Sequence, residues 1–516
     1  MTLPLDLLMF AALVGLILSG FPVAFTIAGV AVAFAALGWA TGQLDISLMG
    51  ALGQRVFGVL TNNVLIAIPL FVVMGVVLEK SRIAEELLET MGRLFGGLRG
   101  GLGLSVIVVG ALLAASTGIV GATVIAMGLI ALPTMLRSGY DPRLASGIVC
   151  TAGTLGQIIP PSTLLIILSD VMSNAYQQAQ YEQGKFTVET ISVGQIFAGA
   201  LLPGLLLVAI YIAYVLIRAR VRPQDAPAAE AGPRPTGSEI GATILPPLLL
   251  IVAVLGAILG GVATPTEAAS VGAVGAILMA GRRQGASSRM VVAGAAVLLL
   301  LAVAAGVAPV RLQRDDASAA DWALGALYGA LAVAGLTAVG FAIMALVRRG
   351  LMQPALVQTM SVTAMIFATI LTASMFSLVF IGLGGEERIE GFLTAMPGGP
   401  TGALIFCMAL IFVLGFFLDF VEITVILLPL IAPPLLVMGH DPVWLAILIA
   451  INLQTSFLTP PFGFSLFYLR SAAPPEITTG QIYRGVFPFI GLQIVGVTVI
   501  WFLPAIARWL PDAVFG

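Results

Sequence analysis

The sequence predicts an all-α polytopic membrane protein folded as two mirror-related halves, and three observations predict it. Of 516 residues, 59% are apolar and only 9% charged, with mean hydropathy +1.09, so lipid must solvate most of the chain. One stretch also occurs twice, as GYDPRLASGIVCTAGTLGQIIPPS at 139–162 and GHDPVWLAILIAINLQTSFLTPPFG at 439–463. Asp141-Pro142 recurs as Asp441-Pro442, and Pro160-Pro161 as Pro460-Pro461, both 300 positions on. The third observation is charge. Arg137 and Arg143 flank the first Gly-x-Asp-Pro turn, whereas no Lys or Arg flanks the second between Met438 and Val443. By the positive-inside rule the two copies face opposite sides of the bilayer.

Each copy begins with its Asp-Pro turn, continues as an apolar helix of about 12 residues and breaks before the Pro-Pro pair. Proline has no amide donor and pushes the preceding residue out of helical geometry. At membrane depth an opened backbone is tolerated only inside protein or against a water-filled cavity. Two such breaks in corresponding positions of two halves mark a transport site.

In chain order, residues 5–40 are apolar around Gly20-Phe21-Pro22 and suit two short or tilted spans. Residues 64–79 read as another span. EKSRIAEELLETMGRLFGGLRGG then mixes charge and leucine at helical spacing, as an interfacial helix does. Residues 102–136 are apolar but carry AASTGIVGAT, which reads either as a re-entrant turn or as a small-residue packing face. Residues 170–192 form the longest polar segment and are expected in water as a loop. A span at 195–217 runs into Arg218, Arg220 and Arg222, then a Pro/Ala-rich linker expected to be disordered. Residues 241–280 cross twice around Thr264-Pro265-Thr266-Glu267, and 290–309 and 322–347 add a further pair ending at Arg348-Arg349. The expected units are 1–222, a cytoplasmic linker 223–240, central spans 241–284, an inserted pair 285–350 and a second half 351–516.

Several functions are excluded. A net charge of -2 with no basic run argues against nucleic acid, and no G-x-x-x-x-G-K-[ST] motif points to an ATP-driven pump. An enzyme is not expected, because no Ser-His-Asp or metal-ligand set occurs in the sequence. Cys150 and Cys407 read as small core residues, and the single His440 as a turn residue.

Four segments, SGYDPRLASGIVCTAGTLGQIIPPS, GVATPTEAASVGA, GFFLDF and INLQTSFLTPPFGFSLF, together resemble the large membrane subunit of the tripartite ATP-independent periplasmic (TRAP) transporters, over roughly 5–280 and 350–505. The resemblance implies a multi-pass secondary transporter of the bacterial inner membrane. It implies sodium-driven uptake of an organic acid delivered by a periplasmic binding protein, with a small four-helix membrane subunit alongside. It also implies an elevator, with a scaffold and a transport domain of two re-entrant hairpins (about 102–136 and 403–438) and two discontinuous helices (about 143–169 and 443–470). The first hairpin tip, S-G-S-S in the family pattern, here reads Thr117-Gly118-Ile119-Val120, and the acid following G-x-F-L matches Asp419, with Glu422 an addition. Residues 285–350 are an insertion relative to shorter members.

A sodium ion wants several hard oxygens, which unwound carbonyls and Ser/Thr hydroxyls supply, while half-helix ends present carbonyls to a cation and amides to a carboxylate. The candidate ion ligands are Ser116, Thr117, Gly118, Thr154 and Gly156 in one half, and Asp419, Thr455, Ser456 and Thr459 in the other. Gln157, Gln454 and Thr123 are candidate substrate contacts. Each hydroxyl could instead bond back to its own helix. Asp419 and Glu422 are costly at membrane depth and are candidate coupling groups for a cation or a proton. Sodium is expected as a coupling ion and no resident cofactor is expected. The alternatives are proton coupling or a stand-alone organic-anion carrier of a related inverted-repeat fold.

Overall fold

Short polar side chains cap several helix starts: Ser192, Thr236, Thr264, Ser318 and Thr478 each accept from the backbone amide three residues on. The computed structural model describes residues 4–118, 120–229, 233–310, 312 and 318–516, without the side chains of 115–117. The described residues are helical throughout, with no strand. The first apolar stretch divides at Gly20 (φ +88°) into α1 (Leu5–Leu18) and α2 (Val23–Ala40). Then come α3 (Leu52–Leu60), α4 (Ala67–Lys80) and α5 (Ile83–Phe95). α5 buries Ile83, Leu87, Leu88 and Met91 and leaves Glu89 and Arg93 exposed, the two-faced pattern of an interfacial helix.

α6 (Gly101–Thr117) and α7 (Val120–Arg137) reverse at Gly118, whose φ of +59° suits glycine. α8 (Pro142–Thr154) is capped by the Asp141 carboxylate, which accepts from the amides of Arg143 (2.7 Å) and Leu144 (3.4 Å). One tighter turn, Leu155–Gln157, follows before the chain opens through Pro160-Pro161 and restarts as α9 (Thr163–Glu182). Next come α10 (Val193–Val221), α11 (Gly237–Leu259), α12 (Pro265–Arg283), α13 (Ser288–Val307), α14 (Ala319–Arg348), α15 (Met352–Gly382) and the short α16 (Gly385–Thr394).

A second helical pair joins α17 (Gly399–Leu414), through Gly415, to α18 (Phe420–Glu422), a wide π-turn at Ile423–Leu427 and α19 (Leu428–Val437). α20 (Pro442–Leu458), capped by Asp441, opens through Pro460-Pro461 into α21 (Phe464–Ala472), and α22 (Thr479–Phe502) and α23 (Ala505–Phe515) complete the chain. Nine helices among the described residues are long and apolar enough to cross a bilayer. α8 and α20, with 13 and 17 residues, are not among them. At about 1.5 Å per residue each falls short of a ~30 Å hydrocarbon core, so each needs the piece beyond its break to cross.

α22 measures the relative direction of the two broken helices. Near its start Gly485 presses on Gly147 of α8, and near its end the Ile500 carbonyl accepts from Trp444 Nε1 (3.0 Å) in the first turn of α20. Those contacts lie roughly 22 Å apart along α22, so α8 and α20 start at opposite ends of the bundle. The starts of α8 and α22 and the ends of α10 and α12 share one end with α5, where Arg93 pairs with Glu239 (3.6 Å) and Arg283 with Glu86. At the other end, Gln183 Nε2 donates to the Val437 carbonyl (3.3 Å).

Two expectations need correction. Most of the polar segment 170–192 is not a loop: α9 continues to Glu182, with Met172, Ala175, Ala179 and Gln180 buried, and only the following turn is irregular. The linker is not disordered at its start. Asp225 pairs with Arg218 (2.7 Å), its carbonyl accepts from the Asp141 amide (3.0 Å), Gly100 donates to the Ala226 carbonyl (3.0 Å), and Ala229 donates to that of Gly96 (2.9 Å). These bonds satisfy a backbone that composition alone leaves to water. Residues 285–350 carry α13 and α14, which pack with α12 in a small core around Leu278, Val291, Ala338 and Ala342. Gly294 lets Ala338 approach so closely that a Cβ there would meet it at 2.2 Å, the small-residue contact typical of membrane helices. Cys150 and Cys407 are free and buried.

Candidate functional site

The two helix reversals rest on the two helix breaks. A Cβ on Gly118 would lie 3.0 Å from both the amide nitrogen and Oγ1 of Thr163, so the α6–α7 turn sits directly on the first residue after the first break. Gly156 faces Ala114 of α6 in the same layer. In the other half, a Cβ on Gly415 would lie 2.1 Å from Ser456 Oγ, which places the α17–α18 turn on the last turn of α20. Phe417 packs on Phe462 and Phe420 on Phe457, with centroids 5.3 and 6.3 Å apart, closing that side with rings. Tyr468 of α21 packs on the first reversal, where its ring would meet a Cβ on Gly121 at 3.0 Å.

The copies meet through equivalent residues. Gln454 Nε2 donates to Thr154 Oγ1 over a long 3.4 Å, and these positions are 300 apart, the spacing of the repeat itself. Thr154 donates onward to the Thr151 carbonyl (2.9 Å), and Ser162 Oγ to that of Gln157 (2.9 Å). Around them several buried polar atoms have no partner among the described residues: Thr151 Oγ1, Thr163 Oγ1, both amide atoms of Gln157 and Gln454 Oε1. Each such atom costs about 1–3 kcal/mol, a sum that a purely structural core would shed by mutation to apolar residues.

In the second half, Thr455 Oγ1 donates to Ile451 (2.8 Å), Ser456 Oγ to Leu453 (2.8 Å) and Thr459 Oγ1 to Thr455 (2.7 Å). With their protons committed to backbone carbonyls, these hydroxyls retain only lone pairs to offer, which suits a hard cation. Asn452 Nδ2 holds the Met408 carbonyl (2.7 Å) and so ties α20 to α17, and Ser465 Oγ takes the Phe457 carbonyl (2.7 Å) that the break releases.

Asp419 and Glu422 form a reciprocal cap. The Asp419 carboxylate accepts from the Phe420 amide (2.8 Å), and Glu422 Oε2 from the Asp419 amide (2.9 Å). Neither makes an ion pair with a Lys or Arg among the described residues. Glu267 makes the same cap on Thr264 (2.8 Å to its amide), a structural role for that break. Thr123 is buried within the first turn of α7. The side chains of Ser116 and Thr117 lie outside the described residues.

Sequence reasoning missed Thr151 and Asn452, which lie inside the quoted segments, and Thr163 and Tyr468, which directly follow them. It also missed a cavity of about 230 Å³ between α3, α9, α15 and the π-turn. Arg55, Asp170, Asn174, Gln178, Ser374 and Ser377 supply its polar lining, and Asn62 Nδ2 donates to Asp170 (2.8 Å). Arg55 stands in an amphipathic stretch that no break or motif marks.

Two solved transporter structures share the fold. One is the Alcanivorax borkumensis YdaH transporter (TM-score 0.53, 15% identity, 99% of each chain). The other is Neisseria gonorrhoeae MtrF (TM-score 0.51, 13% identity, 89% of this chain and 84% of that one). Among curated proteins, the C4-dicarboxylate TRAP transporter large permease protein DctM of Vibrio cholerae serotype O1 is 26% identical over 514 residues, 99% of this chain and 98% of its own. The ectoine TRAP transporter large permease protein TeaC of Halomonas elongata is 24% identical, covering 98% of this chain and 99% of its own. The sialic acid counterpart SiaM of Vibrio cholerae is 22% identical over 97% of each. The model of the tripartite ATP-independent periplasmic transporter DctM component matches residues 10–506, and with that span the chain belongs to the family of TRAP transporter large permease subunits.

Proposed function

We propose that this permease imports an organic acid across the bacterial inner membrane, energised by a sodium gradient. The observation that carries the reading is the group of partnerless buried polar atoms where the two broken helices meet: Gln157, Thr151, Thr163 and Gln454. Their amides and hydroxyls suit a carboxylate-bearing cargo, and the back-bonded hydroxyls of Thr154, Thr455, Ser456 and Thr459 suit sodium, with Gly118 and Gly156 contributing backbone carbonyls. Ser116 and Thr117 belong to the same proposed ion site. The α6–α7 and α17–α19 pairs act as re-entrant hairpins closing the two sides, and this unit slides as an elevator against a scaffold that includes α2, α4, α5 and α15. Relatives named for C4-dicarboxylates, ectoine and sialic acid support a small organic acid as cargo. A periplasmic binding protein and a small membrane subunit are its partners. A relative whose name joins both membrane parts, the isethionate permease protein DctMQ, supports the latter.

The test is uptake in vesicles holding the reconstituted complex with its cognate binding protein. Accumulation should require an inward sodium gradient and fail in Gln157→Leu and Gln454→Leu. Uptake that is indifferent to sodium in proteoliposomes would overturn the coupling. Proton coupling through Asp419 and Glu422 would then stand, favoured by two membrane-depth acids with no basic partner. The exposed turn after α9, with Phe186 fully bare, is the proposed contact for the binding protein. Removing 184–188 should abolish stimulation by that protein and leave assembly intact.

A further inference from the structure

At the end of the bundle where the basic residues gather, a cavity of about 190 Å³ lies between the start of α8, the end of α10 and the start of α22. Four arginines line it, Arg143, Arg218, Arg222 and Arg484, against two carboxylates, Asp141 and Asp225. Both carboxylates are already engaged. Asp141 accepts from two backbone amides as the α8 cap, and Asp225 Oδ2 takes Arg218 Nε (2.8 Å) and Nη2 (2.7 Å) together. Arg143, Arg222 and Arg484 therefore bring three guanidinium groups to one concavity with no ion pair among the described residues.

Helix polarity accounts for only one of these three. Cations at the end of α10 complement its C-terminal dipole, which covers Arg218 and Arg222. Arg143, however, stands in the first turn of α8, where the dipole disfavours a cation, and Arg484 lies early in α22. Three unpaired guanidiniums of this kind call for an anion with several oxygens, which they grip bidentately. The volume is below the ~300 Å³ at which sites for drug-sized ligands begin, so it suits a single phosphate-sized group.

The rim identifies the source. One residue before Arg218 and Arg222 on α10, Ile217 and Val221 are 60% and 72% exposed, and three residues after Arg484, Phe487 is 58% exposed. A bare apolar row beside a basic pocket at a helix end is where a headgroup and its chains lie together. We propose that this cavity binds the phosphodiester headgroup of an anionic phospholipid, with the acyl chains along Ile217, Val221 and Phe487. The lipid would pin α8, the first half of a broken helix, to α10 and α22.

The experiment is a thermal-unfolding titration of delipidated, detergent-purified protein with phosphatidylglycerol, with phosphatidylcholine and, in a separate arm, with inorganic phosphate. Phosphatidylglycerol should raise the midpoint and phosphatidylcholine should not. Losing two basic contacts in Arg222→Gln/Arg484→Gln should weaken the apparent affinity about thirtyfold, whereas Arg220→Gln, outside the cavity, should leave it unchanged. Equal responses to both lipids, or an undiminished response in the double variant, would overturn the proposal. Stabilisation by inorganic phosphate but not by phosphatidylglycerol would assign the cavity to a free ion and overturn the lipid. Should the double variant fail to purify, native mass spectrometry of the unaltered protein decides: phosphatidylglycerol must outlast phosphatidylcholine under collisional activation, and equal loss refutes the site.

Discussion

Replacing Gln157 by methionine separates a transport site from a structural core by the sign of two measurements. Gln157 is 1% exposed and both its amide atoms lack a partner among the described residues, so in the empty protein the amide group is a cost of about 1–3 kcal/mol. Methionine has nearly the same length and no polar group to satisfy, so Gln157→Met should leave the substrate-free protein as stable or more stable. For a chain of this size the gain corresponds to a midpoint rise of about 1 to 4 °C at a fixed scan rate. The same change removes a hydrogen bond to a charged cargo oxygen, about 1.5–3 kcal/mol, so half-saturation for uptake should rise about 10- to 100-fold. Differential scanning fluorimetry without sodium or substrate reads the first quantity, and initial uptake rates in proteoliposomes read the second. A lowered midpoint with unchanged uptake would refute the reasoning, because it would make the amide a packing element.

Asp419→Asn keeps a side chain able to cap Phe420, so stability should stay within about 0.5 kcal/mol while sodium-driven uptake is lost; Asp419→Ala should in addition cost about 1 kcal/mol, read by the same melting assay. Gly415→Ala places a methyl 2.1 Å from Ser456 Oγ and should destabilise by about 1–3 kcal/mol, with partial recovery in Gly415→Ala/Ser456→Gly, where the facing side chain is gone. Gly118→Ala must hold a Cβ at φ +59° against Thr163 and should lose about 1–2 kcal/mol along with uptake. Cysteines placed at Arg143 and His440 should react with a membrane-impermeant maleimide from opposite sides of sealed vesicles, since α8 and α20 start at opposite ends; labelling of both from one side would refute that geometry.

What the chain shows in advance is what acts locally. Asp-Pro starts a helix at both of its occurrences, and Pro-Pro breaks one in both copies of the repeat, although Pro246-Pro247 and Pro433-Pro434 lie inside α11 and α19, so both broken helices stand within a few residues of where Asp141, Pro160, Asp441 and Pro460 put them. The π-turn at Ile423–Leu427 leaves no such mark, and Tyr468 acquires its position only when α21 packs against α7. Asp419 and Glu422 read as two acids on one helical face, yet three-residue spacing at a helix start is also the spacing of a reciprocal cap, and that is the geometry they adopt. The polar run after Ser169 misled through composition: Met172, Ala175 and Ala179 recur every three or four residues and bury one face of α9, a periodicity that average polarity conceals. Asp225 is the corresponding case in the linker, where its pairing with Arg218 and the backbone bonds to Asp141, Gly100 and Gly96 order a stretch whose composition predicts none.

The linker also fixes the angle between α5 and α6. The joint between these helices runs through Gly100, at φ +79°, and the linker grips both sides of it, at the Gly96 carbonyl and the Gly100 amide. Pivoting there has to peel away two backbone hydrogen bonds, each worth about 0.5–1.5 kcal/mol. The connection between the halves therefore clamps the α5–α6 joint from both sides and favours a single angle between the two helices.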